Sequence, residues 1–335
     1  MIPRLETTGH TPDWQTALAR AITSVDALLK RLEITPQPPL PVAASQFPLR
    51  VPQAFVDRMQ PGNINDPLLR QVLPAAAENG DQPGYSHDPL AEQHAMPAPG
   101  VLHKYNGRAL LTLTGACAVH CRYCFRRHFP YSDANPLGSQ WDTAIDYLRS
   151  HPDIGELILS GGDPLSLPDV RLSRLAVEIA ATDHLHTLRI HTRLPVVLPA
   201  RVDAQLLDWL SHLPQQVVMV IHCNHPNEID ASVVAAMQAL QQTGVMLLNQ
   251  SVLLRGINDH ANTLVQLSEK LLAAGVLPYY LHQLDRVQGA AHFEVSDSSA
   301  RTLLDNIHAR LPGYLVPRLV RELPGHPGKQ PLWPG

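Results

Sequence analysis

Three of the four cysteines in this chain lie within eight residues: Cys117, Cys121 and Cys124, in the stretch GACAVHCRYCFRRHF that runs from Gly115 to Phe129. The spacing is C-x3-C-x2-C. Thiolates select zinc or iron–sulfur clusters, and the number of ligands decides between them. A structural zinc site is normally closed by four protein ligands, often as two C-x2-C pairs. Here the nearest candidates for a fourth are His120 and His128, inside the loop and just beyond it. Three cysteines on one tight loop can instead ligate three irons of a [4Fe–4S] cube and leave the fourth iron open to a small molecule. A chance cluster of buried thiols is the third reading of the same residues.

Composition narrows the classes in which that chemistry would operate. The chain has 335 residues, of which 44% are hydrophobic, enough for one large domain or two smaller ones. No apolar run reaches the ~20 residues that span a bilayer, and MIPRLETTGH shows no signal-peptide pattern, so no membrane is expected and a cytoplasmic protein is. A net charge of −4 gives no electrostatic footprint for nucleic acid. With four cysteines in such a setting, a disulfide framework is not expected. Prolines number 31, and lysine is scarce: only Lys30, Lys104, Lys270 and Lys329 occur.

The elements that must position the cysteines follow from periodicity. The first 95 residues read as an irregular helical extension. Thr11-Pro12-Asp13 is a helix start, apolar residues recur at helical spacing from Trp14 to Leu32, and a Pro-rich connector runs from Thr35 to Pro41. Asp66-Pro67 opens another short helix, and Glu78 to Gly100 is turn-rich, as if looping over a surface. From Ala109 the texture becomes alternating strand and helix. Apolar runs lie at Ala109–Leu113, Leu157–Leu159, Leu188–His191, Val217–Ile221, Val245–Leu248 and Tyr279–Leu281. Helical segments fall between them, at 142–149, 170–181, 204–210, 231–241 and 263–273. This predicts an α/β fold, an incomplete (βα)6 TIM-like barrel over 96–315, followed by a short C-terminal segment, 316–335. In such barrels chemistry sits on the loops after the strands. The cysteines follow the first strand, SGGDP the second, His191-Thr192-Arg193 the third, His222 to Glu228 the fourth, Asn249-Gln250 the fifth and His282 to Asp285 the sixth.

With Tyr123 two residues after the middle cysteine, the motif resembles the radical S-adenosylmethionine (SAM) superfamily. SGGDPL after the second strand supports the likeness: Gly161 and Gly162 let backbone approach a ligand, and Asp163 could face its ammonium. A wider resemblance, from Asp88 to Pro331, is to the lysine 2,3-aminomutase family. It is carried by DPLAEQHAMPAPGVLHKYNGRALLTLTGACAVHCRYCFRR, TRLPVVLPAR, NHPNEI, LLNQSVLLRGIND, PYYLHQLDRVQGAAHF and LVRELPGHPGKQPLWPG. RRHFPY and DPLLRQVLP resemble in particular the bacterial members that supply β-lysine for modifying elongation factor P.

The resemblance implies pyridoxal phosphate (PLP) beside the cluster and SAM, and so a Schiff-base lysine. Lys329 matches the family position and sits in the Gly/Pro-rich loop PGHPGK. Lys30 lies in the helical extension and Lys270 on an outer helix, while Lys104 precedes the first strand and is expected to face away from the mouth. Tyr105 and Arg108 match positions that hold the cofactor phosphate, and Gln250 matches a contact to the adenosyl ribose. Arg126 matches the arginine that grips the substrate carboxylate, a task suited to a bidentate guanidinium. Asp285 and Glu322 match the two acids for the distal ammonium of lysine, with Glu at 322 where lysine aminomutases usually carry Asp. Relatives that degrade lysine hold a structural zinc through C-terminal cysteines and one internal cysteine. The sequence ends soon after Lys329 and has His260 at the internal position, so that site is expected to be missing.

The implied activity is isomerisation of L-lysine to β-lysine, as the R isomer, by 2,3-amino migration. The implied partners are L-lysine, an electron donor such as flavodoxin or ferredoxin, and, functionally, the lysine ligase that modifies elongation factor P. An aminomutase acting on another amino acid such as glutamate, and a zinc-binding module without catalysis, are the rival readings. Cys223 is expected to be structural, and His222 and His225 are weaker candidates for ligand contact.

Overall fold

The structure is a computed structural model that describes residues 13–35, 47–131 and 141–332. Nine strands form one sheet in chain order: β1 (Val101–Tyr105), β2 (Arg108–Thr112), β3 (Glu156–Ser160), β4 (Thr187–Thr192), β5 (Gln216–His222), β6 (Met246–Val252), β7 (Leu277–His282), β8 (Arg318–Arg321) and β9 (Gln330–Pro331). β2 through β8 run parallel, and β1 and β9 pair antiparallel at the two ends. The register shows why these segments pair. Leu111, Leu159, Ile190, Met219 and Leu247 lie opposite one another in turn, forming an apolar row across five strands.

That row faces the helices. α5 (Trp141–Arg149), α6 (Asp169–Ala180), α8 (Ala204–Ser211) and α9 (Ala231–Gln242) bury Ile145 and Leu148, Leu172 and Ile179, Leu206 and Trp209, and Met237 and Leu240 in the same core. α10 (Ala261–Ala273) and α11 (Asp297–His308) cover the later strands around Leu281 and Leu319. Because side chains alternate along a strand, the residues between the apolar ones face inward. In β4, Leu188 and Ile190 are core while Arg189 and His191 face the interior, and His222, Gln250 and Tyr280 are register neighbours on that inner side. A polar lining marks a cavity where a packed barrel would be filled with branched aliphatics.

The six expected strands are present as β2 to β7, and the five expected helices as α5, α6, α8, α9 and α10, with ends moved by a few residues at most. The fold adds elements that the sequence reading missed: the antiparallel strand β1, helix α11, and β8 with β9. The segment from residue 316 is therefore part of the sheet, with β8 as its seventh parallel strand.

The helical extension is interrupted. α1 (Asp13–Ala19) and α2 (Val25–Arg31) are separated where Ile22 bridges to Val51, and Ser24 caps α2. The helix start at Thr11-Pro12 and most of the Pro-rich connector lie outside the described residues. α3 (Gln53–Val56) and α4 (Pro67–Arg70) bury Phe55, Val56, Leu68 and Leu69 in the main core, and Asp66 Oδ1 caps α4 by accepting from Leu68 N at 2.8 Å. A short helix, α7 (Leu194–Val197), follows β4.

Candidate active site

The sheet's inner face and the loops beyond the strand ends enclose a cavity of about 330 Å³, and every cluster, cofactor and substrate residue implied by the resemblance lines it. At one end stand Cys117, Cys121 and Cys124, all free thiols. Burial and the neighbouring sulfurs push the Cys124 thiol up to about 12 and Cys117 well above its ordinary value. Neither candidate fourth ligand joins them. His120 stacks on Phe47, with Nδ1 2.8 Å from the Pro48 carbonyl, and His128 stacks on His87. Among the described residues no three His, Cys, Asp or Glu side chains converge on a single metal ion. The three thiols instead share one cavity, and Arg193 Nη1 donates to Cys121 Sγ at 2.8 Å. Hydrogen bonds to sulfur tune iron–sulfur clusters. The donor set fits a cluster held at three corners.

The cysteine loop is fastened from behind. Arg193 Nη2 also donates to Gln71 Oε1 at 2.7 Å and to Glu228 Oε2 at 3.0 Å. Asn224 Nδ2 donates to Gln71 Oε1 at 3.0 Å and to the Tyr123 hydroxyl at 2.7 Å, and that hydroxyl lies 2.8 Å from His222 Nε2. Burial and Arg193 press His222 down to about 3, so its ring is neutral. Arg122 and Arg127, flanking Cys124, both pair with Glu78. The expected surface loop from Glu78 to Gly100 thus turns inward at Glu78, Leu90 and Glu92, all buried. It is a strap whose acids fasten the cysteine loop.

The glycine pair has a reason other than ligand approach. Gly161 has φ +123°, and a Cβ there would lie 2.6 Å from the Thr114 carbonyl oxygen; at Gly162 it would lie 2.4 Å from that of Ala116. The loop after β3 is pressed onto the backbone leading into the cysteines, with Gly162 N donating to Thr114 O and Asp163 N to Ala116 O. Asp163, offered above as a partner for an ammonium, is committed to the fold. Its two oxygens accept from Thr192 Oγ1 at 2.7 Å, Arg193 N at 2.8 Å, and Leu165 N and Leu194 N at 3.1 Å each.

Lys329 lies in the wall away from the thiols and donates to Glu322 Oε2 at 2.6 Å, with Nζ 5.8 Å from the Tyr280 ring centre. Lys104, expected to face away, is here as well. β1 folds back on β2 through Asn106-Gly107, and this turns Lys104 Nζ into the cavity, 3.2 Å from Glu322 Oε1 and 3.1 Å from Glu92 Oε1. Burial alone would raise the Glu322 carboxyl, but Lys329, Lys104 and Tyr105 together hold it well below the usual carboxylate range. Arg108 stacks on Tyr105 at 4.6 Å, forming a cation–aromatic pair at the same end. Asp285 behaves in the opposite way. Its carboxylate has no ion-pair partner among the described residues, and burial with the nearby Glu322 charge pushes it up to about 7. Such an acid is poised to receive a cation. Arg126 is buried and its Nε and Nη2 grip Glu92, at 2.6 and 2.8 Å.

Gln250 reaches the cavity from β6 beside His222 and Tyr280. His191 and His282 also line it, both held well below their ordinary values by burial and cationic neighbours. Their buried Nε2 atoms lack partners among the described residues, which a polar ligand would supply. Cys223 is buried outside the cavity, Sγ 3.6 Å from the His225 carbonyl, and His225 also stays out of the lining. His260 is exposed ahead of α10. The sequence reading missed Glu92 and misplaced Lys104, and it put Arg193 and Glu228 on loops at the mouth without giving either a role.

No family model matches the chain. Among curated proteins, the L-lysine 2,3-aminomutase of Escherichia coli is 50% identical over 96% of this chain and 94% of its own length. That of Haemophilus influenzae is 46% identical over 98% of each. That of Clostridium subterminale is 36% identical over 96% of this chain and 78% of its own. The chain belongs to the lysine 2,3-aminomutase family. It is accordingly an isomerase, and membership implies a [4Fe–4S] cluster and SAM. A solved radical SAM methyltransferase from Sphaerobacter thermophilus aligns with TM-score 0.48 and 16% identity, over 66% of this chain and 68% of that one, a likeness that adds nothing to the assignment. No helix among the described residues is long and apolar enough to cross a membrane.

Proposed function

We propose that this aminomutase converts L-lysine to β-lysine with the help of PLP, and that the product serves the modification of elongation factor P. The observation that carries the reading is the pairing, in one cavity, of three thiols with Lys329 and two acids, Asp285 and Glu322. When bound, the cluster and SAM would supply a carbon radical able to take hydrogen from unactivated carbon, and PLP a conjugated ring that delocalises an unpaired electron while nitrogen moves between neighbouring substrate carbons. Cys117, Cys121 and Cys124 would hold the cluster. Gly161, Gly162 and Gln250 would face SAM, with Asp163 keeping their loop in place. Lys329 would hold PLP covalently, and Tyr105 and Arg108 its phosphate, the arginine side chain being engaged among the described residues with the tyrosine ring.

Substrate recognition follows from charge. A buried ammonium needs a carboxylate partner. Asp285 has no ion-pair partner among the described residues, and Glu322 already takes two ammonium groups, those of Lys329 and Lys104, in the way it would take the ε-ammonium of lysine. Arg126 would receive the α-carboxylate. Two acids at this end disfavour glutamate, whose distal carboxylate would meet like charge. An external one-electron donor of the flavodoxin or ferredoxin kind, a cytoplasmic setting and delivery to a lysine ligase belong to the same reading. Its support lies in RRHFPY and DPLLRQVLP, which resemble the members that serve elongation factor P.

The test is anaerobic incubation of the reconstituted protein with reductant, SAM, PLP and either L-lysine or L-glutamate, followed by chiral analysis. The R isomer of β-lysine from lysine alone is expected. Turnover of glutamate in preference to lysine would defeat the reading.

A further inference from the structure

Glu92 ties the strap to the cysteine loop through Arg126, and it is among the most firmly held carboxylates of the cavity. It is 3% exposed. Its Oε2 accepts from Arg126 Nε, its Oε1 from Arg126 Nη2, and Lys104 Nζ lies 3.1 Å from Oε1. The backbone is strained to put it there. Ala91, just before it, has φ 50° and ψ 42°, the left-handed region that a Cβ disfavours. Asp88 Oδ1 accepts from Glu92 N at 2.9 Å. The strap is pinned to the loop that carries Asp285, with Ser86 N donating to Arg286 O and Gln288 N to Ser86 O, each at 2.9 Å. Burial would raise the Glu92 carboxyl, but Arg126 and Lys104 overcome this and hold it below its ordinary value.

We propose that Glu92 is a positioning residue for substrate recognition, one that fixes the plane of the Arg126 guanidinium and the place of Lys104 so that the cavity can read an α-carboxylate. The proposal rests on the reading of Arg126 as the carboxylate grip. The competing view is that Glu92 is a stand-in which the substrate expels. Two facts favour positioning. Expelling a buried carboxylate from between two cations strands it without a partner. An arginine also has five N–H donors, of which Glu92 takes two, while Nη1 gives one to Ser160 Oγ at 3.0 Å and one to the Gly161 carbonyl at 3.5 Å, so one N–H on Nη2 remains for a second carboxylate. Glutamine cannot copy the arrangement, because its amide N–H would face the N–H of the guanidinium or ammonium.

The experiment compares L-lysine with 1,5-diaminopentane, which is lysine without its carboxylate. Both ligands are titrated by equilibrium dialysis into the holoenzyme, reconstituted with cluster, SAM and PLP and kept free of reductant. In Glu92→Gln, lysine binding is expected to weaken about tenfold or more, the scale of a misplaced charge-assisted hydrogen bond. Binding of the diamine should stay as in the wild type. Glu92→Asp, which keeps the charge but is a methylene shorter, should lose less.

Unchanged or tighter lysine binding in Glu92→Gln would overturn the proposal, the latter by making Glu92 a competitor. Equal losses for both ligands would reduce the residue to a general structural part and overturn it too. Should Glu92→Gln fail to fold by circular dichroism, Glu92→Asp decides alone: a lowered preference for lysine over the diamine supports the proposal, and an unaltered one overturns it. A wild-type enzyme with no preference for lysine over the diamine would remove the Arg126 reading and this inference with it. The two failures are thereby told apart.

Discussion

At the thiol end of the cavity the polar side chains behind the cysteines are mostly already matched. Arg193 holds Cys121, Gln71 and Glu228 at once, and Asp163 spends both oxygens on four donors. At the amine end the matching stops short. Glu322 is saturated by Lys329, Lys104 and Tyr105, while Asp285 faces the same cavity with no ion-pair partner among the described residues. Burial raises both carboxyls. At Glu322 two ammonium groups reverse its effect, whereas at Asp285 the same two, Lys329 and Lys104, only partly offset it and the Glu322 charge adds to it. The contrast separates a region built to keep a resident group from one built to meet an incoming charge.

Removing a thiol should break the first region outright. Cys121→Ala is expected to abolish turnover and to lower iron and sulfide content after anaerobic reconstitution, as read by metal analysis and visible absorbance. Asp285→Asn should break the second while sparing the first: kcat/KM for lysine falls about a hundredfold, the scale of deleting one partner of a buried charge pair, and cluster content is unchanged.

The pH dependence sharpens the same distinction. Asp285 is ionised above about 7 and neutral below it, so wild-type KM for lysine should rise as pH falls through about 7. In Asp285→Asn that inflection should vanish. The sign for stability is the reverse. A raised carboxyl binds its proton more tightly when folded, so its contribution to the ligand-free fold is lost as pH rises toward 7. Asp285→Asn is therefore expected to raise Tm at pH 8.

Gly162→Ala would drive a methyl group into the Ala116 carbonyl. It should cost about 1–3 kcal/mol of stability, measured by denaturant unfolding, and should slow cluster incorporation. The smallest effect is expected at Glu322→Asp, where a carboxylate one methylene shorter cannot span Lys104 and Lys329 together. KM for lysine should change only a few-fold, with cluster content untouched.

The two regions also differed in how openly the sequence displayed them. The cysteines sit on one loop, so their spacing stated their chemistry before any fold was known. The parallel strands were legible from short apolar runs because both the core row and its neighbours alternate as a pleated strand requires. The amine end is assembled from β1, the strap, the loop after β7 and the segment after β8, and periodicity says nothing about residues so far apart. Glu322 was reached there through resemblance alone, Asp285 also through its place after the sixth strand, and Lys329 also through the scarcity of lysine and its Gly/Pro-rich loop. Lys104 was misplaced although its signal was present: Asn106-Gly107 between apolar runs is a tight hairpin turn, which folds β1 back onto β2. Glu92 left no such mark, since its inward turn depends on a left-handed alanine that no pattern predicts.

Two lysines, then, face one cavity from opposite sides of Glu322. Lys329 is expected to carry the cofactor, with Lys104 a charge that steadies the acid between them. Loading the protein with PLP, reducing it with borohydride and mapping the labelled peptide tests this most directly. A pyridoxyl group on Lys329 alone is the expected result; a label on Lys104, with Lys329 unmodified, would contradict it.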